Sequence, residues 1–325
     1  MSHQKTMISF IVVCLFISEI ANAYRYDPND FATEVIDYVQ GTNIGRDYIT
    51  DKEFNEPNAA LGRPIIDTTQ DDMYHIGPVL PVYPAHRAFE VVTIGNGGRL
   101  TVKFNKPIEN NANNPYGIDF IIFGNAFYGT LGWRHYNDDP AYVSLVETFN
   151  DEPGIVSVSQ DGEIWYTFSG GPFADDFVPT LGRIYNPYDP NTSLGEWNLW
   201  WGRPTNPTLP LNPLLSHEDF YVLNLAQICE VYGDSAGGTG FDIGTLGLNW
   251  IQYVRIEDKP TSSATTEIDA ISIAKPPYPM GDLNEDYRVD FFDFAILARD
   301  WQAGSDWEDM AALAENWLVC NWECP

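Results

Sequence analysis

Between Val91 and Ile273 the chain is cut into short runs of β-forming residues, and several place apolar side chains at every second position. Leu100-Thr101-Val102-Lys103-Phe104 is the clearest. Successive residues of a strand point to opposite faces, so this run buries one face and wets the other. Val91–Ile94, Ile118–Phe123, Gly154–Ser159, Ile164–Phe168, Ile251–Ile256 and Ile268–Ile273 also read as strands. Gln160-Asp161-Gly162-Glu163 joins two of them, and Asp-Gly is a strong hairpin signal. Gly95-Asn96-Gly97-Gly98 marks a second expected hairpin. Many short strands with Gly and Pro turns imply a β-sandwich or jelly roll. Helical spacing is scarce here; Phe31–Val39 and Phe220–Cys229 are the two stretches that carry it. Tyr185–Leu215 has no period and much Pro and Asn, and reads as a long ordered loop held down by tryptophans.

The first residues predict an exported chain. Lys5 precedes an apolar run from Met7 to Ile17, and Ala21-Asn22-Ala23 has the small-x-small pattern of a cleavage site. The run is shorter than the ~20 residues that span a bilayer, so residues 1–23 read as a signal peptide and the mature chain as no integral membrane protein. The net charge of −29 makes a nucleic-acid partner unfavourable and favours cations. Cys229, Cys320 and Cys324 lie beyond the signal peptide and are too few for a disulfide framework. Cys320 and Cys324 are close enough to bridge, and Cys229, beside Leu225, Ile228 and Val231, reads as a small buried hydrophobe.

At Lys275-Pro276-Pro277-Tyr278-Pro279 the β pattern stops. Closely spaced prolines form an extended spacer, which sets a domain at 24–275, a linker at 276–281 and a terminal module at 282–325. Within the module, oxygen-bearing side chains fall at positions 1, 3, 5, 9 and 12 of a loop: Asp282, Asn284, Asp286, Asp290 and Asp293. The carbonyl of Arg288 at position 7 completes a six-point shell. That pattern suits calcium, a hard cation taking six to eight oxygens. It departs from the EF-hand at Tyr287, where position 6 takes a Gly for a sharp turn, and at Asp293, where position 12 takes a longer Glu. Phe294, Leu297, Ala298 and Trp301 then recur at helical spacing. Ser305-Asp306-Trp307-Glu308 reads as a capping box opening a second helix, striped by Trp307, Met310, Ala311, Ala314, Trp317 and Leu318.

From Met280 to Leu318 this loop–helix, helix arrangement resembles a dockerin type I module. The resemblance implies two loop–helix repeats, of which the second keeps its helix and has lost its calcium ligands. It also implies that positions 10 and 11, here Phe291 and Phe292, face a cohesin-like or other cell-surface protein partner. Val156–Gly162 with Trp165-Tyr166, and Gln252–Ile256 with Glu267–Ala270, resemble galactose-binding-like β-sandwiches. Together with Asp119–Asn125, the domain resembles uncharacterised bacterial cell-surface proteins that carry a terminal dockerin-like module, and the resemblance carries no catalytic residues.

Two functions suit the main domain. Trp197, Trp200, Trp201 and Tyr188, beside Glu196, Asn198 and Asp189, form a candidate polysaccharide-binding face, since sugar rings stack on aromatic faces while carboxylates and amides bond their hydroxyls. The alternative is a polysaccharide-degrading glycoside hydrolase, which needs two opposed carboxylates. Among 46 acidic residues such pairs arise by chance, so the sequence names none. Gly233-Asp234-Ser235-Ala236-Gly237 fits G-x-S-x-G, but no histidine follows His217 and a Gly-rich turn replaces the required helix. Asp258, Glu267 and Asp269, with Asp119, form a candidate second calcium site at a strand end.

Overall fold

The computed structural model describes residues 27–70, 73–131, 138–188, 190, 199–258, 265–284, 286–301, 305 and 307–321. Two compact units divide the chain, one spanning Pro28–Lys275 and the other containing Pro276–Pro325.

The first unit is mainly β and antiparallel. One sheet runs in the order β1-β3-β8-β5-β6: Glu34–Val39 (β1), Arg99–Glu109 (β3), Trp250–Asp258 (β8), Gly154–Ser159 (β5) and Tyr166–Thr167 (β6). The other runs β7-β4-β9-β2: Thr239–Phe241 (β7), Phe120–Gly124 (β4), Glu267–Ile273 (β9) and Val92–Thr93 (β2). Leu100, Val102, Phe104, Val156, Val158, Val254 and Ile256 of the first sheet share one buried cluster with Phe120, Ile122, Ile268 and Ile271 of the second. The alternation of Leu100-Thr101-Val102-Lys103-Phe104 is therefore what sets β3 against this core.

β9 is buried along its whole length, because the second sheet is covered on both faces. Its far side packs Ile121, Phe123 and Ala270 against Ala236. A further layer there contains α1 (His217–Tyr221) and α2 (Leu225–Tyr232), whose Phe220, Leu225, Ile228 and Tyr232 join Tyr128 and Trp201. Asn224 and Gln227 close a capping box that starts α2. Cys229 is a free buried thiol, pushed by burial well above the ordinary cysteine range.

Three sequence expectations are corrected. Residues 34–39 form a strand, not a helix, with a register shift between Val35 and Asp37. Gly95–Gly98 does not close a hairpin: β2 pairs with β9 and β3 with β1 and β8, so this turn carries the chain from one sheet to the other. Gly98 is fixed there by close approach, since a Cβ would lie 2.2 Å from the Ile94 carbonyl oxygen. Phe220–Cys229 is split between two helices by a turn at Leu223 and Asn224.

An acidic knot lies where β8 ends and β9 begins. Asp175 Oδ1 accepts the N–H groups of Asn125 and Ala126, both at 2.9 Å, and Oδ2 accepts that of Glu267 at 2.9 Å. Glu267 accepts the Thr93 hydroxyl at 2.7 Å. Burial first, and then the charges of Glu267 and Asp258, push the neighbouring Glu152 carboxyl up to about 7.

Candidate metal centre

The second unit contains α3 (Phe291–Arg299) and α4 (Trp307–Glu315) around a small core of Val289, Leu297 and Leu313, with Leu283, Trp301, Met310 and Trp317 against it. The acidic loop precedes α3. Asp282 is nearly buried and organises the loop: its Oδ1 accepts the N–H of Asp286 at 3.1 Å and its Oδ2 that of Tyr287 at 2.7 Å. Asp293 is fully buried and binds the loop's other limb: Oδ1 accepts Leu283 N–H at 2.7 Å and Asn284 N–H at 3.2 Å. Its Oδ2 accepts Asp290 N–H at 2.7 Å. Asp290 reciprocates by accepting Phe292 N–H at 2.8 Å, so Asp290 and Asp293 are also the capping box of α3.

Asn284 donates its side-chain amide to Asp286 Oδ2 at 3.0 Å, and Asp286 Oδ1 accepts Arg288 N–H at 3.0 Å. The loop thus gathers the Asp282, Asn284, Asp286 and Asp293 side chains. Asp290 lies at the helix start, with its carboxylate on the helix backbone. Burial, and then the charges of Asp293 and Asp286, raise the Asp282 carboxyl to about 7 against the pull of its two N–H donors. Among the described residues no three His, Cys, Asp or Glu side chains form a metal-binding group. The donor chemistry still fits a hard divalent cation, because carboxylates at positions 1, 5 and 12 oppose one another across one short loop.

Position 6 makes the turn despite its bulk. Tyr287 stands at φ +67°, in the left-handed region that favours Gly. Its ring is buried and packs on Tyr278 with centroids 4.4 Å apart. Gly281, at φ +90°, admits no side chain: a Cβ would lie 2.7 Å from Leu313 Cα. The loop's exit pairs with the segment after α4, since Val289 N–H donates to the Val319 carbonyl at 2.9 Å and Leu318 N–H to the Val289 carbonyl at 2.8 Å. Cys320, in the same segment, is disulfide-bonded and bridges Arg288 through the backbone.

The sequence also holds a repeat that the loop pattern hides. Asp290, Asp293, Ala295, Leu297, Ala298 and Trp301 recur as Asp306, Asp309, Ala311, Leu313, Ala314 and Trp317. The matching pairs Leu297 with Leu313 and Trp301 with Trp317 all contribute to the module's core. The repeat was legible by sliding the sequence against itself.

The other candidate residues are scattered. Trp201 is fully buried in the helical layer and pairs, in the strand Trp201–Pro204, with Arg183–Tyr185, so its ring is core and is no platform for a sugar. Trp200 is half-buried against the same cluster, and Tyr188 is 96% exposed. Trp197, like Glu196, Asn198, Asp189, Cys324 and the signal-peptide segment, lies outside the described residues. Ser235 is buried and donates its hydroxyl to the Leu209 carbonyl at 2.6 Å, which is a structural role. Asp119 does not join the second candidate calcium site. β4 and β9 run antiparallel with Phe120 opposite Ile273, so Asp119 lies at the other end of β9 from Glu267, roughly 20 Å away at ~3.3 Å per residue. Asp119 instead accepts Ile243 N–H at 3.0 Å and Asn111 N–H at 3.1 Å, and Asp269 accepts Ile65 N–H.

Fold and site together define a mainly antiparallel β protein with an appended acidic loop and helix pair. No protein-family model and no curated protein matches the chain. A solved structure described as a glycoside hydrolase aligns over 77% of this chain and 33% of its own, at 8% identity and a TM-score of 0.24. The chain spans about a third of that protein's length, and a likeness so small carries no argument. No helix among the described residues is long and apolar enough to cross a membrane.

Proposed function

We propose that this is an exported, surface-associated binding protein. Its galactose-binding-like β-sandwich engages polysaccharide without catalysis, and its dockerin-like module, stabilised by calcium, attaches it to a protein partner. One observation carries the module reading. Position 6 of the loop adopts the left-handed turn and donates its N–H to the position 1 carboxylate, although the residue is Tyr287 and not Gly. A bound divalent ion would supply the charge that Asp282, Asp286 and Asp293 lack among themselves. Asp282 and Asp293 would hold it while their remaining lone pairs fix the loop backbone, and the Arg288 carbonyl completes the donor set. Phe291 and Phe292, the residues at positions 10 and 11, are 75% and 70% exposed and so available to a partner.

The test is calorimetric titration of the full chain with calcium and magnesium, beside thermal unfolding in EDTA. Calcium binding with a raised midpoint, lost in Asp282→Asn, supports the module. Identical melts in calcium and EDTA remove it. Capture of a surface protein from the chain's own cells, released by chelator, tests the attachment. Sugar release in a hydrolysis screen, abolished by a single Asp or Glu substitution, would replace the binding role with the enzymatic one.

A further inference from the structure

We infer that the cleft between residues 46–56 and 87–89 of the sandwich unit is a subsite for a neutral sugar unit of a polysaccharide. The inference rests on the polysaccharide-binding reading and moves its site away from the tryptophan loop. The cleft is open and about 580 Å³ in volume, within the range of small-ligand sites. Its walls are fixed in advance. Asp47, 1% exposed, takes the N–H groups of Ile49 at 2.9 Å and Thr50 at 3.0 Å, which folds the 46–53 turn. The same carboxylate takes Arg87 Nε at 2.8 Å and Ala88 N–H at 3.3 Å, which ties the opposite wall to it. A ligand therefore meets a cleft that needs no ordering on binding.

Charge selects the ligand class. The lining carries cations at Arg46, Lys52 and Arg87 against carboxylates at Asp47, Asp51, Glu53 and Glu56. Arg46 is committed to Glu53 at 2.7 Å and Asp51 at 3.2 Å, and Arg87 to Asp47, so the lining is close to neutral. That leaves little net attraction for a phosphate or a bare metal ion. It does leave donors and acceptors side by side, with Asn55 among them, as a hydroxyl-rich neutral ring requires. Phe89 adds the apolar face. Its ring is 63% exposed, with the Arg87 guanidinium 5.7 Å from its centroid. Phe89 is thus the ring that the lining supplies, an exposed apolar face beside paired charged groups on which a pyranose ring can stack.

The experiment is affinity electrophoresis of the full chain through gels holding hydroxyethylcellulose, xylan, galactomannan or polygalacturonate. At least one neutral polymer is expected to retard the protein. Phe89→Ala, an exposed position, is expected to weaken that retardation about tenfold, while Tyr142→Ala, at an exposed ring outside the cleft, leaves it unchanged. Retardation that Phe89→Ala does not touch overturns the cleft and leaves the polysaccharide reading standing. Retardation by polygalacturonate alone overturns the neutral ligand. No retardation by any polymer overturns the cleft and the polysaccharide reading together.

Discussion

Tyr287 donates its backbone N–H to Asp282 Oδ2 at 2.7 Å from a backbone held at φ +67°. The turn is costly for a residue with a Cβ, by about 1 kcal/mol, and burial of the ring against Tyr278 offsets it. Tyr287→Ala loses the ring and keeps the strain, whereas Tyr287→Gly loses the ring and relieves it. Both are expected to destabilise the module, with Ala worse than Gly by about 1 kcal/mol. Urea unfolding of the full chain at fixed calcium reads the gap, and the opposite order would show that the turn is unstrained.

Asp286 and Asp293 separate ion binding from loop architecture. The Asp286 carboxylate takes two local bonds in the apo loop, from Arg288 N–H and the exposed Asn284 amide, whereas Asp293 holds the backbone of Leu283, Asn284 and Asp290 from a fully buried position. Asp286→Ala should change stability in EDTA by less than about 0.5 kcal/mol yet abolish the calcium response. Asp293→Ala should cost about 2 kcal/mol even in EDTA, from a lost cap and stranded N–H groups. Paired melts with and without calcium measure both.

The sandwich is expected to lose stability as pH rises from about 4.5 to 7. The folded-state value of Glu152, about 7, lies above its ordinary 4.5, raised by burial first and by Glu267 and Asp258 next. A carboxyl raised on folding binds its proton more tightly in the folded state. Its contribution is complete below the ordinary value and disappears as pH climbs through the raised one. Asp119, lifted to about 6 mainly by burial, acts in the same direction. Glu152→Gln should flatten the slope of melting temperature against pH, measured in EDTA to silence the loop. An unchanged slope would place the dependence elsewhere.

Asp47 joins two walls through a buried ion pair with Arg87. Asp47→Asn strands a buried guanidinium, so a loss of about 3 kcal/mol is expected. Arg87→Met, which removes the stranded charge as well, should recover part of that loss in the double variant. Chemical denaturation of the four proteins forms the cycle, and strict additivity would mean that the pair is not coupled.

How much of this was readable beforehand depended on whether a signal is local. The runs that became β3 and β8 stood out because their apolar residues alternate, and those that became β4, β5 and β9 because short apolar runs between turn signals read as buried strands. The sequence marked Tyr287 as a departure from the Gly of a calcium loop's sharp turn, and its left-handed backbone shows that the turn forms with Tyr there. Residues 34–39 misled because the irregularity between Val35 and Asp37 breaks the two-residue period and leaves apolar residues at a helix-like spacing. Gly95–Gly98 misled because a turn signal says that the chain reverses, not which strand it then meets. Trp201 was placed on a binding face because it stands among aromatic, amide and carboxylate residues; the cluster that buries it includes side chains of α1 and α2, more than a dozen residues further on. The cleft had no signature at all, since Asp47 and Arg87 are brought together only by the fold.

The pairing of Val289 with Leu318 and Val319 makes the segment after α4 a clasp on the loop that opens the module. Whatever detaches residues 318–321, whether a protease or a competing strand, would loosen the carboxylate loop without unwinding either helix.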